Sequence, residues 1–192
     1  MGRRVAHQLD RERLIAASFA VVEQHGLENL SMRRVAAQLG VQAPAIYWHV
    51  ADKAELLGLM AREIYRVAYA SVPDAANWRE WLAQFGHALR ASFSGHRDGA
   101  RICAIATPAP HADPVKSAQT IAAPLIALGL DRHSALIFQA AVISYALGWS
   151  TFEANGPMHD FLDRMMIFEE SFRIGLEAMI AGFVPMDRTV AG

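Results

Sequence analysis

Apolar residues recur along this chain at intervals of three and four. Leu14, Ile15, Phe19 and Val22 open the pattern, and the spacing puts them on one stripe of a helix. No Asn-Gly or Asp-Gly hairpin lies between alternating apolar runs, and Ala and Leu dominate over clustered Val, Ile and Thr. The pattern predicts an all-α fold with no internal repeat and no low-complexity tract. A first helix is expected over 10–24, capped by Asp10 and stopped by His25-Gly26. Leu27 and Leu30 follow as core plugs. Ser31 is a good N-cap for a short helix over 31–39 with Val35, Ala36 and Leu39 facing inward, and Gly40 ends it. Only Val41 and Gln42 separate Gly40 from a further segment over 43–50, which carries Pro44 in its first turn, where a missing N–H is tolerated. Two short helices joined by a glycine-containing turn of three or four residues form a helix-turn-helix.

Asp52 caps a long helix expected over 53–70, with Leu56, Leu57, Met60, Ile64 and Val67 on its buried face, and Val72-Pro73 ends it. Five more helices are predicted, over 77–93, 98–106, 114–128, 131–154 and 159–183. The breaks are Ser94-Gly95, 107–110, Gly129 and Asn155-Gly156-Pro157. Pro124 is expected to kink its helix, because it lacks a donor and its ring crowds the preceding turn.

The second helix of a helix-turn-helix enters the DNA major groove while the first crosses the backbone, and a symmetric dimer reads two half-sites about one helical turn apart. Over 43–50, Ile46 and Val50 fall on the inward side. The outer face carries Gln42, Ala43, Ala45, Tyr47, Trp48 and His49. Tyr and His offer hydrogen bonds to phosphates, and alanine methyls suit the thymine methyl. Arg33 can reach a guanine edge or a phosphate, and Lys53 opens the next helix beside the backbone. Trp48 either packs within the small head or touches phosphate; its indole suits both. The candidate DNA-binding set is Ser31, Arg33, Gln42, Ala43, Pro44, Ala45, Tyr47, Trp48, His49 and Lys53, with a palindromic double-stranded operator as the partner.

Charge adds a modest bias. The net charge is -1, but residues 1–53 hold seven Lys/Arg against five Asp/Glu and residues 54–192 hold eleven against fourteen, so the N-terminal part suits a polyanion. With 53% apolar and only 19% charged residues in 192, some apolar surface is expected to meet another subunit. Cys103 is alone, so no intramolecular disulfide and no zinc-type cysteine pair can form, which suits a reducing cytoplasm. Arg3 and Arg4 are followed by Asp10, Arg11, Glu12 and Arg13 rather than by the apolar core of a signal peptide. No uninterrupted apolar run approaches the roughly 18 residues of a membrane span, so no membrane partner is expected. The chain lacks a glycine-rich phosphate loop, G-x-S-x-G, H-E-x-x-H and a paired-acid motif, so neither an enzyme nor a cofactor is expected. His111, His133 and Glu153 are scattered and predict no metal site.

The stretch from Leu30-Ser31-Met32-Arg33-Arg34-Val35-Ala36 through Leu39-Gly40-Val41, then Pro44-Ala45-Ile46-Tyr47-Trp48-His49-Val50 and Asp52-Lys53, resembles the DNA-binding domain of the TetR family. His96-Arg97-Asp98-Gly99-Ala100-Arg101 resembles a stretch in the ligand domain of tetracycline repressors. The resemblance implies a DNA-binding domain over 1–53, a C-terminal ligand-binding and dimerisation domain over 54–192, a homodimer, and repression relieved by an unknown small-molecule effector. It also marks departures. Cys103 stands where those repressors hold drug-bound magnesium with a histidine, Ala106 and Thr107 replace a polar pair, Ser144 replaces a second histidine, and Phe152 falls on the metal-side glutamate position just before Glu153. Ala43 and Ala45 replace base-contacting polar residues, so a different operator is implied.

The implied dimer interface is the last two long helices, whose apolar residues exceed one stripe: Phe138, Val142, Tyr145 and Trp149 on one, Phe161, Met165, Phe168, Phe172, Leu176 and Met179 on the other. The implied effector pocket lies between the 53–70 and 114–128 helices. It is lined by Ile64, Val67, Phe85, Leu89, Cys103, Ala106, Ile121, Leu125 and Ile137, and such walls favour a hydrophobic ligand. A DNA-binding or partner-binding helical protein without an effector is the alternative reading.

Overall fold

A computed structural model describes residues 10–186, so Arg3 and Arg4 and both outer ends of the expected domains lie outside the described residues. Among those described there are ten α-helices and no strand. They run α1 (Arg11–His25), α2 (Met32–Leu39), α3 (Ala43–Ile46), α4 (Lys53–Ala70), α5 (Trp78–Ser94), α6 (Gly99–Ile105), α7 (Pro114–Ala127), α8 (Arg132–Ala154), α9 (Gly156–Leu162) and α10 (Phe168–Ala181), with a single 3-10 turn at Leu27–Asn29.

Helix starts are set by short acceptor side chains. Asp10 accepts the Arg13 N–H at 2.8 Å, Ser31 the Arg34 N–H at 3.3 Å and Asp52 the Glu55 N–H at 2.8 Å. Glu55 returns the favour by accepting the Ala51 N–H at 2.7 Å, which fixes the entry into α4 from both sides. Gly40, at φ 68°, closes α2 in the left-handed conformation that a side chain would resist.

Two expected helices differ from what forms. The segment over 43–50 is α-helical only to Ile46 and then tightens, with His49 N–H on the Ile46 carbonyl at 2.9 Å, because the chain must turn out to the extended Asp52 that caps α4. The expected 159–183 helix is two. Asn155 caps α9 through the Met158 N–H, with Pro157 in its first turn, and the chain then bends over 163–167 before α10. The bend lets Phe168 bury edge-on to Trp149, at 6.0 Å between ring centroids, and lets Phe172 bury completely. No glycine or proline marks it.

The head is α1 to α3 closed by the start of α4, around Leu14, Val22, Val35, Ile46, Val50 and Leu56. The body packs α5 against α8, α4 and α10, with α7 on α8 and α6 on α4. Of the residues read as a surplus for a second subunit, Phe138, Val142, Phe168, Phe172 and Leu176 instead fill the subunit's own core, because α10 folds back over both α5 and α8. Phe161 and Met165 do stay exposed. Helix α8 is long and apolar enough to cross a membrane by length and composition, yet one side of it is in this core. What its other side shows is Ile137, Ala140, Ser144, Gly148 and Phe152.

Phe172 touches Tyr145, Trp149, His87 and the Arg90 guanidinium, so it is the knot of α5, α8 and α10. Truncation to Ala should cost about 3–5 kcal/mol through lost burial and the cavity left behind. Urea denaturation checks this; a loss under about 1 kcal/mol would mean α10 is not anchored there.

Candidate nucleic-acid interface

The candidate surface follows from which side chains the head consumes. Ile46 and Val50, one turn apart, are buried at 0% and 2% exposure, which pins the short α3 against the head core. That leaves Tyr47 at 55% and Trp48 at 89% exposure on the outside. Gln42, Pro44 and Lys53 are exposed beside them, Ala43, Ala45 and His49 half-buried. Arg33 is exposed on α2, while Ser31 is half-buried and occupied as a helix cap. All ten residues of the expected set belong to the α2, α3 and α4-start region. Trp48 packs within the chain with little of its surface, so the packing alternative fails for it.

The nine pocket residues do not surround an open apolar chamber. Phe85, Leu89 and Leu125 have no accessible surface, Ile64 and Cys103 are buried and Ala106 half-buried, whereas Val67, Ile121 and Ile137 look outward. Where space was expected there is packing: the Tyr69 ring lies tilted against Phe85, with centroids at 4.5 Å, and its hydroxyl donates to Gln139 Oε1 at 2.7 Å, while Gln139 Nε2 donates to the Ile121 carbonyl at 2.7 Å. Burial pushes the Cys103 thiol up to about 12 against the pull of the Tyr65 hydroxyl, so it is a neutral thiol at physiological pH. Tyr69 is likewise pushed up to about 12 by burial. Among the described residues no three His, Cys, Asp or Glu gather as metal ligands, and Glu153 is held by Arg90 at 2.6 Å.

Open space lies elsewhere. A cleft of about 1130 Å³ runs between the end of α5, the 95–101 turn and the end of α8, lined among others by His87, Arg90, Arg97, Asp98, Glu153 and His159. A smaller one of about 240 Å³ includes Ile64 and Val67. The polar walls of the larger cleft were missed from sequence, because Arg90 meets Glu153 across 63 positions.

The 95–101 turn also grips the head. Asp98 accepts the Leu27 N–H at 3.0 Å, the Arg97 N–H donates to the Glu23 carboxylate at 2.7 Å, and Arg97 Nη1 donates to the Glu23 carbonyl at 3.0 Å. Arg101 bonds both Asp98 and Glu28, and His96 stacks on Phe19 with centroids 4.0 Å apart. Burial pushes the Asp98 carboxyl up, but the Leu27 N–H and the Arg101 and Arg97 charges outweigh it and hold the group below its ordinary value.

A helix-turn-helix head on a helical body defines the class of DNA-binding regulators. The model for bacterial regulatory proteins of the tetR family matches residues 14–60. The chain is 37% identical over 105 residues to the class C tetracycline repressor protein of Escherichia coli, covering 54% of this chain and 48% of that protein, so it spans about half the length of the curated relatives it matches. A TetR variant of Acinetobacter baumannii AYE, solved in complex with minocycline, is 30% identical at TM-score 0.75, covering 92% of this chain and 97% of that one. BioQ of Mycobacterium smegmatis is 32% identical at TM-score 0.72, covering 91% and 97%, and BioQ has also been solved with its natural double-stranded DNA operator. The chain belongs to the TetR family.

Because its carboxyl is held low in the folded chain, Asp98 contributes stability that is complete above the ordinary carboxylate value near about pH 4 and is lost as pH falls through the lower folded value. The urea stability gap between wild type and Asp98→Asn should be constant above about pH 5 and close below about pH 4. A gap unchanged down to about pH 3 would assign the stabilisation to something other than this charge.

Proposed function

We propose that the protein is a homodimeric transcriptional regulator that binds a palindromic operator through Arg33, Gln42, Ala43, Pro44, Ala45, Tyr47, Trp48, His49 and Lys53, with Ser31 setting the pose of α2. The observation that carries this reading is the pair Tyr47 and Trp48, two large aromatics left facing solvent on a head whose other large apolar residues are buried or half-buried. BioQ on its operator and the tetracycline repressors support it by kinship. Repression is the mode those repressors' names carry, and the cytoplasm is the compartment this reading assigns.

Dimerisation is assigned to the outer faces of α8 and α10. Ala140, Ser144 and Gly148 recur every fourth residue on α8, flanked by Ile137 and Phe152, and Ile174 is exposed on α10. Small side chains at that spacing let a second pair of helices approach closely over apolar rims. The effector is assigned to the region of Ile64, Val67, Phe85, Leu89, Cys103, Ala106, Ile121, Leu125 and Ile137. An apolar ligand there stabilises a conformation in which α4 and α7 part, and its differential affinity for that state is what moves the heads. A magnesium-chelated drug does not fit: a neutral, buried Cys103 thiol hydrogen-bonded to Tyr65 is no ligand for a hard cation. The closed packing of Phe85, Leu89 and Leu125 also favours a second reading, a regulator that needs no small molecule.

Gel shifts against the DNA upstream of its own gene test the first claim. Tyr47→Ala should weaken binding about tenfold or more, and Lys53→Ala should reduce the slope of log affinity against log salt by about one. Binding unchanged in both variants would move the interface elsewhere. Light scattering at micromolar concentration should give a dimer, and Gly148→Trp should give monomers; a monomeric wild type sinks the interface. Melting temperature across a library of apolar metabolites and drugs separates the two effector readings, since a native-state ligand raises it by mass action.

A further inference from the structure

The head is attached to the body twice. Helix α4 is the covalent attachment, and its first turn also closes the head core through Leu56. The second attachment is the 95–101 turn, and its chemistry is unusual for a surface junction. Asp98 is the only non-glycine residue with positive φ among those described, at 59°, a conformation that asparagine, aspartate and glycine tolerate best. It is there because Gly99, whose Cβ would run into the Phe93 carbonyl, begins α6 directly against the end of α5. The strained backbone aims the Asp98 carboxylate away from its own helix and onto the Leu27 N–H, 71 positions earlier.

Three successive residues then hold three points of the head. His96 lies on the Phe19 ring, Arg97 takes Glu23 through both its backbone and its guanidinium, and Asp98 takes Leu27, with Arg101 tying Asp98 to Glu28. Arg97 also packs over Gly26, where an added Cβ would lie 3.2 Å from the guanidinium. These contacts run from Phe19 along the second half of α1 to the 3-10 turn. Apart from the His96 ring on Phe19 they are hydrogen bonds or ion pairs, and Arg97, Asp98 and Arg101 line the 1130 Å³ cleft.

We propose that Asp98, with Arg97 and Arg101, is a positioning latch that fixes the rotation of the DNA-reading head on the body and so sets the half-site spacing the protein accepts. The proposal rests on the regulator reading above. Two heads in a dimer must meet successive major grooves about 34–36 Å apart. A latched head matches one spacing and resists others; a head held by α4 alone accommodates several at the cost of ordering itself on each.

Asp98→Gly is the informative variant, because glycine keeps the positive φ and removes only the carboxylate. Hydrogen exchange of the Leu27 amide should quicken about 10- to 100-fold in Asp98→Gly and much less in Asp98→Asn, whose amide oxygen still accepts. On operators selected from genomic DNA, one base pair inserted between half-sites should weaken wild-type binding about tenfold or more and Asp98→Gly binding only about threefold, with Asp98→Asn near wild type. A merely structural role would lower affinity for all spacings alike, and that outcome overturns the latch. So does an unchanged Leu27 exchange rate in Asp98→Gly. If that variant fails to fold, Glu23→Ala removes the neighbouring hold and should show the same broadened spacing profile; an unbroadened profile overturns the proposal. If the wild type binds no duplex, the regulator reading falls, and the amide exchange alone then decides whether the latch exists.

Discussion

A helix of four residues cannot hold itself. Isolated helices shorter than about 12–15 residues are marginal in water, and α3 makes barely one turn. Its pose is therefore set from outside, by Ile46 and Val50 sinking into the space left by α1, α2 and the first turn of α4. That one constraint arranges everything around it. It requires the glycine stop at Gly40, the tight exit at His49 and the double cap of Asp52 and Glu55, and it leaves Tyr47 and Trp48 on the outside as a consequence of where Ile46 and Val50 must go.

The body solves a different problem, which is to support that head rigidly with helices that are mostly apolar. Helix α10 folds back into the groove of α5 and α8, and Phe172 fills the junction while Arg90 lies over its ring and closes the edge with Glu153 and Glu169. The result uses up aromatic residues that a helix drawn alone would leave for a partner. The outer side of α8 is left with small residues, suited to close helix contact rather than to deep interdigitation.

Between head and body the same logic yields polar contacts. Beside the His96 ring on Phe19, the hydrogen bonds from the 95–101 turn to Leu27 and Glu23 are directional and can be exchanged for water at modest cost. The interior around Tyr69 and Gln139 is closed by a chain of hydrogen bonds linking α4, α8 and α7, so a ligand entering there must separate partners that satisfy one another.

Local rules were enough for much of this. The period of apolar residues and the caps Asp10, Ser31 and Asp52 determined where the helices α1, α2 and α4 begin, the turn at Gly40 and the exposure of Tyr47 and Trp48, because those features depend on neighbours within one or two turns. The split between α9 and α10 was not legible, since no breaker stands at 163–167 and the bend exists only to bury Phe168 and Phe172 against helices far back in the chain. The same distance hid the inward turn of Phe138, Val142 and Leu176, the filling of the expected pocket, and the meeting of Asp98 with Leu27. A side chain's periodicity says which face it shares, and only the packing of whole helices decides what that face meets.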